Sequence, residues 1–388
     1  MNKINLIITE DRLDEIFYRA VLVRRELHTC TELGFDLEQT VAIVKNELDT
    51  YGIEYTEKYG KGSIVAEVGS GEKTIAFRAD MDALPIEEKT ELPYASKISG
   101  QMHACGHDSH TAILLAVARY LKSVEDTLKC RIRFIFQPSE ECAESGAKML
   151  VENGVMDGVD HIICTHCENG LESGTIGVFA GDYMAACVPL SIKFFGKSAH
   201  ATLPTEGIDA IAMATNAYFR MKKAVESIAG DRRYIWSVGK LSGGTAHNVI
   251  SDFCEMDISF RFYDMVFAEQ VKSAVFEICE SLAKDFGGCV EIDWEMSTGP
   301  VHNDRELVER FKAAVALSDL PMKVIPQTMG SEDFAWYQTK ARGVLFRFGT
   351  RNEATGCKAL VHCSDFKIDE DGMKSAIKVF VNYALQYH

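Results

Sequence analysis

KTIAFRADMDALP (73–85) runs from a β-branched and aromatic stretch directly into two aspartates spaced two apart. Its apolar half predicts a strand of a buried sheet. GSIVAEVG (62–69), RIRFIFQPSEE (131–141) and HIICTHC (161–167) have the same make-up, and TAILLAVARYLKSVED (111–126) and GAKMLVENGVM (146–156) alternate with them as helices. That alternation is the mark of an α/β sheet with helices on its faces. Upstream, Leu13, Ile16, Phe17, Ala20, Val23 and Leu27 recur at helical spacing, predicting an amphipathic helix from Asp11 to Thr31 and a second from about Asp36 to Tyr51.

The pattern changes near Gly181. LSIKFFG (190–196), a helix over 207–228, YIWSVGKLSGG (234–244), NVISDFCEMDISFRF (248–262), a helix over 266–286 and CVEIDWEM (289–296) follow in the order βαββαβ. Such a unit makes a small antiparallel sheet with two helices on one face. Gly299-Pro300 marks its end. The expected architecture is a first α/β domain of residues 1–184 and 298–388, with an α+β domain of residues 185–297 inserted in it. At 388 residues the chain is long enough for two cores.

Composition limits the function. With 47% hydrophobic and 25% charged residues and 8 prolines the chain is globular. A net charge of -16 opposes nucleic acid, whose phosphates need clustered Lys and Arg. The opening MNKINLIITEDRLDEIF lacks the apolar core of a signal peptide, and no run reaches the roughly 20 apolar residues of a membrane span. A cytoplasmic location is expected, so the 12 cysteines should be thiols, not a disulfide framework.

Four windows carry chemistry. HACGHDSHT (103–111) crowds His103, Cys105, His107, Asp108 and His110 ahead of a helix. Cys105 and His107, two apart, would project to one side of an extended backbone as two ligands of one metal cluster. Asp108 or Ser109 could simply cap the helix, and His110 could be structural. In IFQPSEECAESG (135–146), Glu140 and Glu141 follow a buried strand and point different ways, so one can ligate a metal while the other acts as general base. Taken alone, an acidic pair is as well read as a charged surface loop. In HIICTHC, His166 is the ligand candidate and His161, at the strand entry, the structural one. Cys164 and Cys167 form a C-x-x-C pair, but no second pair accompanies it to complete a structural zinc site. KALVHCSDF (358–366) offers His362.

RRELHTCTELGF (24–35), RADMDALPIEE, HACGHDSHT, QPSEE, GKSAHATLP (196–204), NVI (248–250) and GSEDF (330–334), in this order, resemble the amidohydrolase family of hippurate hydrolases, auxin-conjugate (indoleacetyl-amino acid) hydrolases, N-acetyldiaminopimelate deacetylases and aminobenzoyl-glutamate hydrolases. That family belongs to the larger dimetal aminoacylase/carboxypeptidase group. The resemblance covers nearly the whole chain. It implies that Cys105, His107, Glu141, His166 and His362 bind two divalent metals, with manganese favoured over zinc, cobalt or nickel. Glu140 is then the general base, and Asp82, near Asp80, orients a ligand. It further implies that the inserted domain is a lid and dimerisation domain. Its His200 would reach the partner's site to hold the oxyanion, and Asn248 and Arg261 would hold the substrate carboxylate. Three departures bear on the acyl pocket: Thr31 stands where the family has Pro, CENG follows in place of a Val-x-Pro type segment after His166, and Cys-Ser follows His362.

The expected reaction is hydrolysis of an N-acyl amino acid by metal-activated water. The competing readings are a dipeptidase or exopeptidase with the same machinery, a silent binding homologue, and a Cys105-nucleophile enzyme. The last would leave the paired glutamates unexplained.

Overall fold

Ile75, Ala76, Phe77, Arg78 and Ala79 are all buried, which the absence of polar alternation in 73–85 anticipates. The computed structural model describes residues 7–387, so residues 1–6 of the opening segment read against a signal peptide lie outside the described residues. The chain divides into two compact units, residues 1–183, 302–327 and 333–388 in one, and 184–301 with 328–332 in the other. The sequence pattern did not foretell the short stretch Thr328–Glu332 in the second unit, because nothing in its composition differs from an ordinary loop.

In the first unit the strand Thr74–Asp80 lies parallel between Arg131–Gln137 and His161–Glu172, and Arg342–Arg351 extends the sheet parallel to the latter. Ile64–Val68 pairs antiparallel with Arg131–Gln137, so the sheet is mixed. The helix His107–Ser123 is buried almost all round, as a helix with no polar face must be. The helix Glu10–Thr29 buries Leu13, Ile16, Ala20, Val23 and Leu27 on one face. Phe77 packs at a tilt against Phe380 of the helix Gly372–Leu385 with ring centroids 4.8 Å apart, joining sheet to helix. Each fully buried Phe contributes about 1.5–3 kcal/mol.

In the second unit the strands run in the order Ile235–Gly243, Phe253–Phe262, Ala186–Phe195, Cys289–Asp293, all antiparallel. Strict alternation sends Cys254, Met256, Ile258, Phe260 and Phe262 into the core shared with the helices Ala210–Ala229 and Met265–Phe286. Asp209 and Asp264 cap these helices through their side chains, and Gly287 closes the second in the left-handed conformation. NVISDFCEMDISFRF is not one strand. It breaks at Ser251-Asp252, and Val249–Ile250 pairs instead with Ala199–His200. Among the described residues no helix is long and apolar enough to cross a membrane.

Candidate metal centre

Glu141 follows the strand Arg131–Gln137 in a loop at its carboxyl end, the usual place for a site in such a sheet, His107 begins a helix, and His166 lies within the strand His161–Glu172, which runs on past the HIICTHC window. Gly106 takes φ +82 and caps the helix that His107 begins. This left-handed turn, not the extended backbone suggested by spacing, brings Cys105 and His107 together. His107 Nδ1 donates to the Asp82 carbonyl at 2.9 Å, which leaves Nε2 available to a metal; that nitrogen is buried with no hydrogen-bond partner. Cys105 Sγ lies 3.2 Å from His166 Nε2, and His166 Nδ1 donates to the Cys167 carbonyl at 2.8 Å. Glu141 Oε1 is 3.8 Å from His107 Nε2 and 3.2 Å from His362 Nε2.

Two trios sharing Cys105, one with His107 and His166 and one with Glu141 and His362, each keep their ligand atoms within 4.8 Å of one another. His362 reaches its position in the left-handed region, φ +66, with its amide donating to Ala104 O at 2.8 Å. Such strain in a residue with a Cβ is held only where the surroundings impose it. Burial pushes the Cys105 thiol well above its ordinary value, and the Glu141 charge adds to the effect. Burial also holds His166 well below its ordinary value. A thiol, imidazoles and a carboxylate gathered out of water are stable together when cations compensate them. The residues therefore fit a pair of divalent cations, and the mixed S, N and O donors suit zinc, manganese, cobalt or nickel.

Asp82 has a different task from its neighbours. Its Oδ1 accepts the Glu140 amide at 3.0 Å and its Oδ2 the Glu141 amide at 3.1 Å, so one carboxylate fixes the backbone of both glutamates. Glu140, Glu141 and His107 also fall within 4.8 Å of one another. Asp80 accepts from Arg78 Nη1 and pairs with His110 Nδ1, both at 2.6 Å, while His110 Nε2 accepts the Cys167 amide at 2.9 Å. His110 thus spends both ring nitrogens on structure. His161 accepts from the Tyr383 hydroxyl through Nε2 at 2.8 Å, and burial lowers it to about 4. His103 is buried without hydrogen-bond partners, and burial lowers it to about 3.

Asp108 does not cap its helix. It is buried against Arg24 Nε at 2.8 Å and His28 Nδ1 at 2.7 Å, partners from the opening helix. Arg24 and His28 both lie in RRELHTCTELGF (24–35), where nothing local marks them as partners of Asp108.

Close approach also shapes the Glu140 loop. A Cβ on Gly146 would stand 1.8 Å from the Pro138 carbonyl oxygen, so Gly146→Ala must move the backbone leading to Glu140. We expect a loss of about 1–3 kcal/mol in urea unfolding together with reduced turnover. Wild-type values for both would contradict this packing.

The remaining candidates belong to the second unit and are described there by themselves. His200 is exposed, with Nδ1 2.8 Å from Thr202 Oγ1, and the Asn248 carbonyl accepts the amide of adjacent Ala201. Arg261 directs Nη1 to the Met329 carbonyl at 3.0 Å, so part of its guanidinium is committed within the unit.

The sequence profile of Peptidase family M20/M25/M40 matches residues 76–386. The chain belongs to this family. It is 36% identical over 379 residues to the N-acetyl-L-cysteine deacetylase of Bacillus subtilis, covering 97% of this chain and 88% of that one. It is 34% identical to thermostable carboxypeptidase 1 of Saccharolobus solfataricus, covering 91% of each. Among solved structures, the Bacillus subtilis YXEP protein, a dinuclear metal binding peptidase of family M20, superposes with a TM-score of 0.84 at 32% identity, over 96% of this chain and 98% of that one. As an M20 member the protein is a metal-dependent amidohydrolase.

Proposed function

We propose that the protein hydrolyses N-acyl amino acids carrying a small acyl group, with Cys105, His107, Glu141, His166 and His362 holding two divalent cations, manganese first among them. The observation that carries this reading is the pair of ligand trios sharing Cys105 beside a glutamate pair clamped by Asp82. The deacetylase name of the Bacillus relative supports the acyl class.

Bound there, the cations supply polarisation of the scissile carbonyl and acidify a water toward a pKa of about 7. Glu140 takes the proton of the attacking water and returns it to the leaving nitrogen. His200 of a second copy donates to the oxyanion, making a homodimer part of the catalyst. In support, His200 is exposed, and the strand Ile235–Gly243 ends its sheet with Ile235 and Leu241 exposed. Asn248 and the uncommitted part of the Arg261 guanidinium hold the substrate carboxylate. The twelve cysteines, all free thiols, favour the cytoplasm.

The test is release of amino acid from N-acetyl amino acids, hippurate, N-acetyldiaminopimelate and a dipeptide by metal-stripped protein, before and after adding manganese or zinc. We expect no turnover without metal, recovery with it, and N-acetyl substrates ahead of the dipeptide. A dipeptide preference would instead favour the exopeptidase reading suggested by the carboxypeptidase relative. Stripping should also lower the melting temperature, since a cation at 1,000 times its Kd stabilises the native state by about 4 kcal/mol. An unchanged melting curve would argue against a metal held by the folded chain.

A further inference from the structure

GSEDF (330–334) was recognised as a motif, yet the mechanism above uses none of its side chains. Asp333 is nonetheless buried among hydrogen-bond donors. Its Oδ1 accepts from Arg78 Nη2 at 2.9 Å and Gln137 Nε2 at 3.0 Å. Its Oδ2 accepts from Gln137 Nε2 at 2.9 Å, Ser145 Oγ at 2.7 Å and the Ala147 amide at 3.3 Å. Gln137 ends the strand entering the Glu140-Glu141 loop, and Ser145 caps the helix leaving it. One carboxylate therefore grips both ends of the loop whose middle Asp82 holds.

We propose that Asp333 is a positioning residue for the proposed base Glu140, acting as a staple that closes the 138–144 loop. The proposal rests on the functional reading above only for its catalytic consequence. The same carboxylate also bonds Arg78, whose Nη1 holds Asp80 at 2.6 Å, and Asp80 orients His110 behind the ligand strand. Tyr337 completes the network by donating to Gln137 Oε1 at 2.9 Å. Every donor around Asp333 expects an acceptor. An amide in its place turns one acceptor into a donor facing donors, and the loop must shift to relieve the conflict.

The chain also passes directly into Asp333 from residues gripped by the second unit. The Arg261 guanidinium bonds the Met329 carbonyl, the Tyr263 hydroxyl donates to the Thr328 carbonyl at 2.7 Å, and Thr298 Oγ1 donates to the Glu332 carbonyl at 3.1 Å.

The experiment compares wild type, Asp333→Asn and Ser145→Ala, each loaded with manganese. Hydrogen exchange of the amides from 139 to 147 should be faster in Asp333→Asn, with two metals still bound per chain. That readout needs no substrate, so it stands if the substrate assignment fails. On a substrate turned over by wild type, kcat should fall by up to about 100-fold, the scale of a misplaced reacting group, with KM nearly unchanged. Ser145→Ala should give a smaller effect of the same kind that does not add to that of Asp333→Asn. If Asp333→Asn does not fold, Ser145→Ala carries the test through exchange at Ala147. Unchanged exchange in the loop, or strict additivity, would overturn the proposal.

Discussion

Glu140→Gln should bind two metals per chain and turn over substrate about 10²–10⁴-fold more slowly, the usual contribution of a general base. The geometry makes this substitution cleaner than most. Asp82 holds the glutamate pair through the backbone amides, so changing the Glu140 side chain leaves the clamp intact. Glu141 differs, because its Oε1 faces both His107 and His362. Glu141→Gln should therefore lose metal as well as turnover. Metal analysis of both variants beside kcat on an N-acetyl amino acid decides the assignment. If Glu140→Gln loses the metal and Glu141→Gln keeps it, the two glutamates exchange roles. A Glu140→Gln enzyme with more than a tenth of wild-type turnover removes the base from the mechanism altogether.

Two of the candidate ligands were legible from a local signal, Glu141 after the buried strand Arg131–Gln137 and His107 at the start of a helix, whereas His166 lies within its strand and His362 in a turn. Spacing alone misled about Cys105 and His107, because their convergence depends on the left-handed φ of Gly106. Of the positioning network, only Asp82 was legible, through the family resemblance, and its hold on the Glu140 and Glu141 amides was not. Asp82 acts on backbone amides, which no side-chain pattern records. Asp333 and Arg78 are 255 residues apart and meet only in the folded chain. His110 illustrates the converse, since sequence left it open between ligand and support, and only its bonds to Asp80 and the Cys167 amide consume both nitrogens.

Arg24→Met should destabilise the protein by about 3–5 kcal/mol, the cost of leaving one partner of a buried ion pair alone. Arg24 and Asp108 have side chains 1% and 0% exposed, so water cannot replace the lost guanidinium. Arg24 also bonds Glu370 at 3.0 Å and the Tyr94 hydroxyl at 3.1 Å, tying the opening helix to the start of the C-terminal one. Removing it leaves His28 as the only cation bonded to Asp108 among the described residues. Burial opposes protonation of His28, but the Asp108 carboxylate, with Glu88 at 3.2 Å on the other ring nitrogen, outweighs it and raises the folded-state pKa. A raised pKa contributes stability that is fully present below the unfolded value near 6.5 and disappears as pH rises through the folded value. Wild type should therefore lose stability on that upward path, with Arg24 still compensating Asp108. In Arg24→Met the same rise strips Asp108 of its last bonded cation, so the deficit should be larger at pH 8.5 than at pH 6. Urea unfolding at both values measures it. Because Asp108 directly follows His107, the variant should also bind metal more weakly where its native state survives. Equal stability of variant and wild type at pH 8.5 would mean that Asp108 is neutral in the fold, and that the Arg24 pair contributes nothing to the start of the helix that His107 begins.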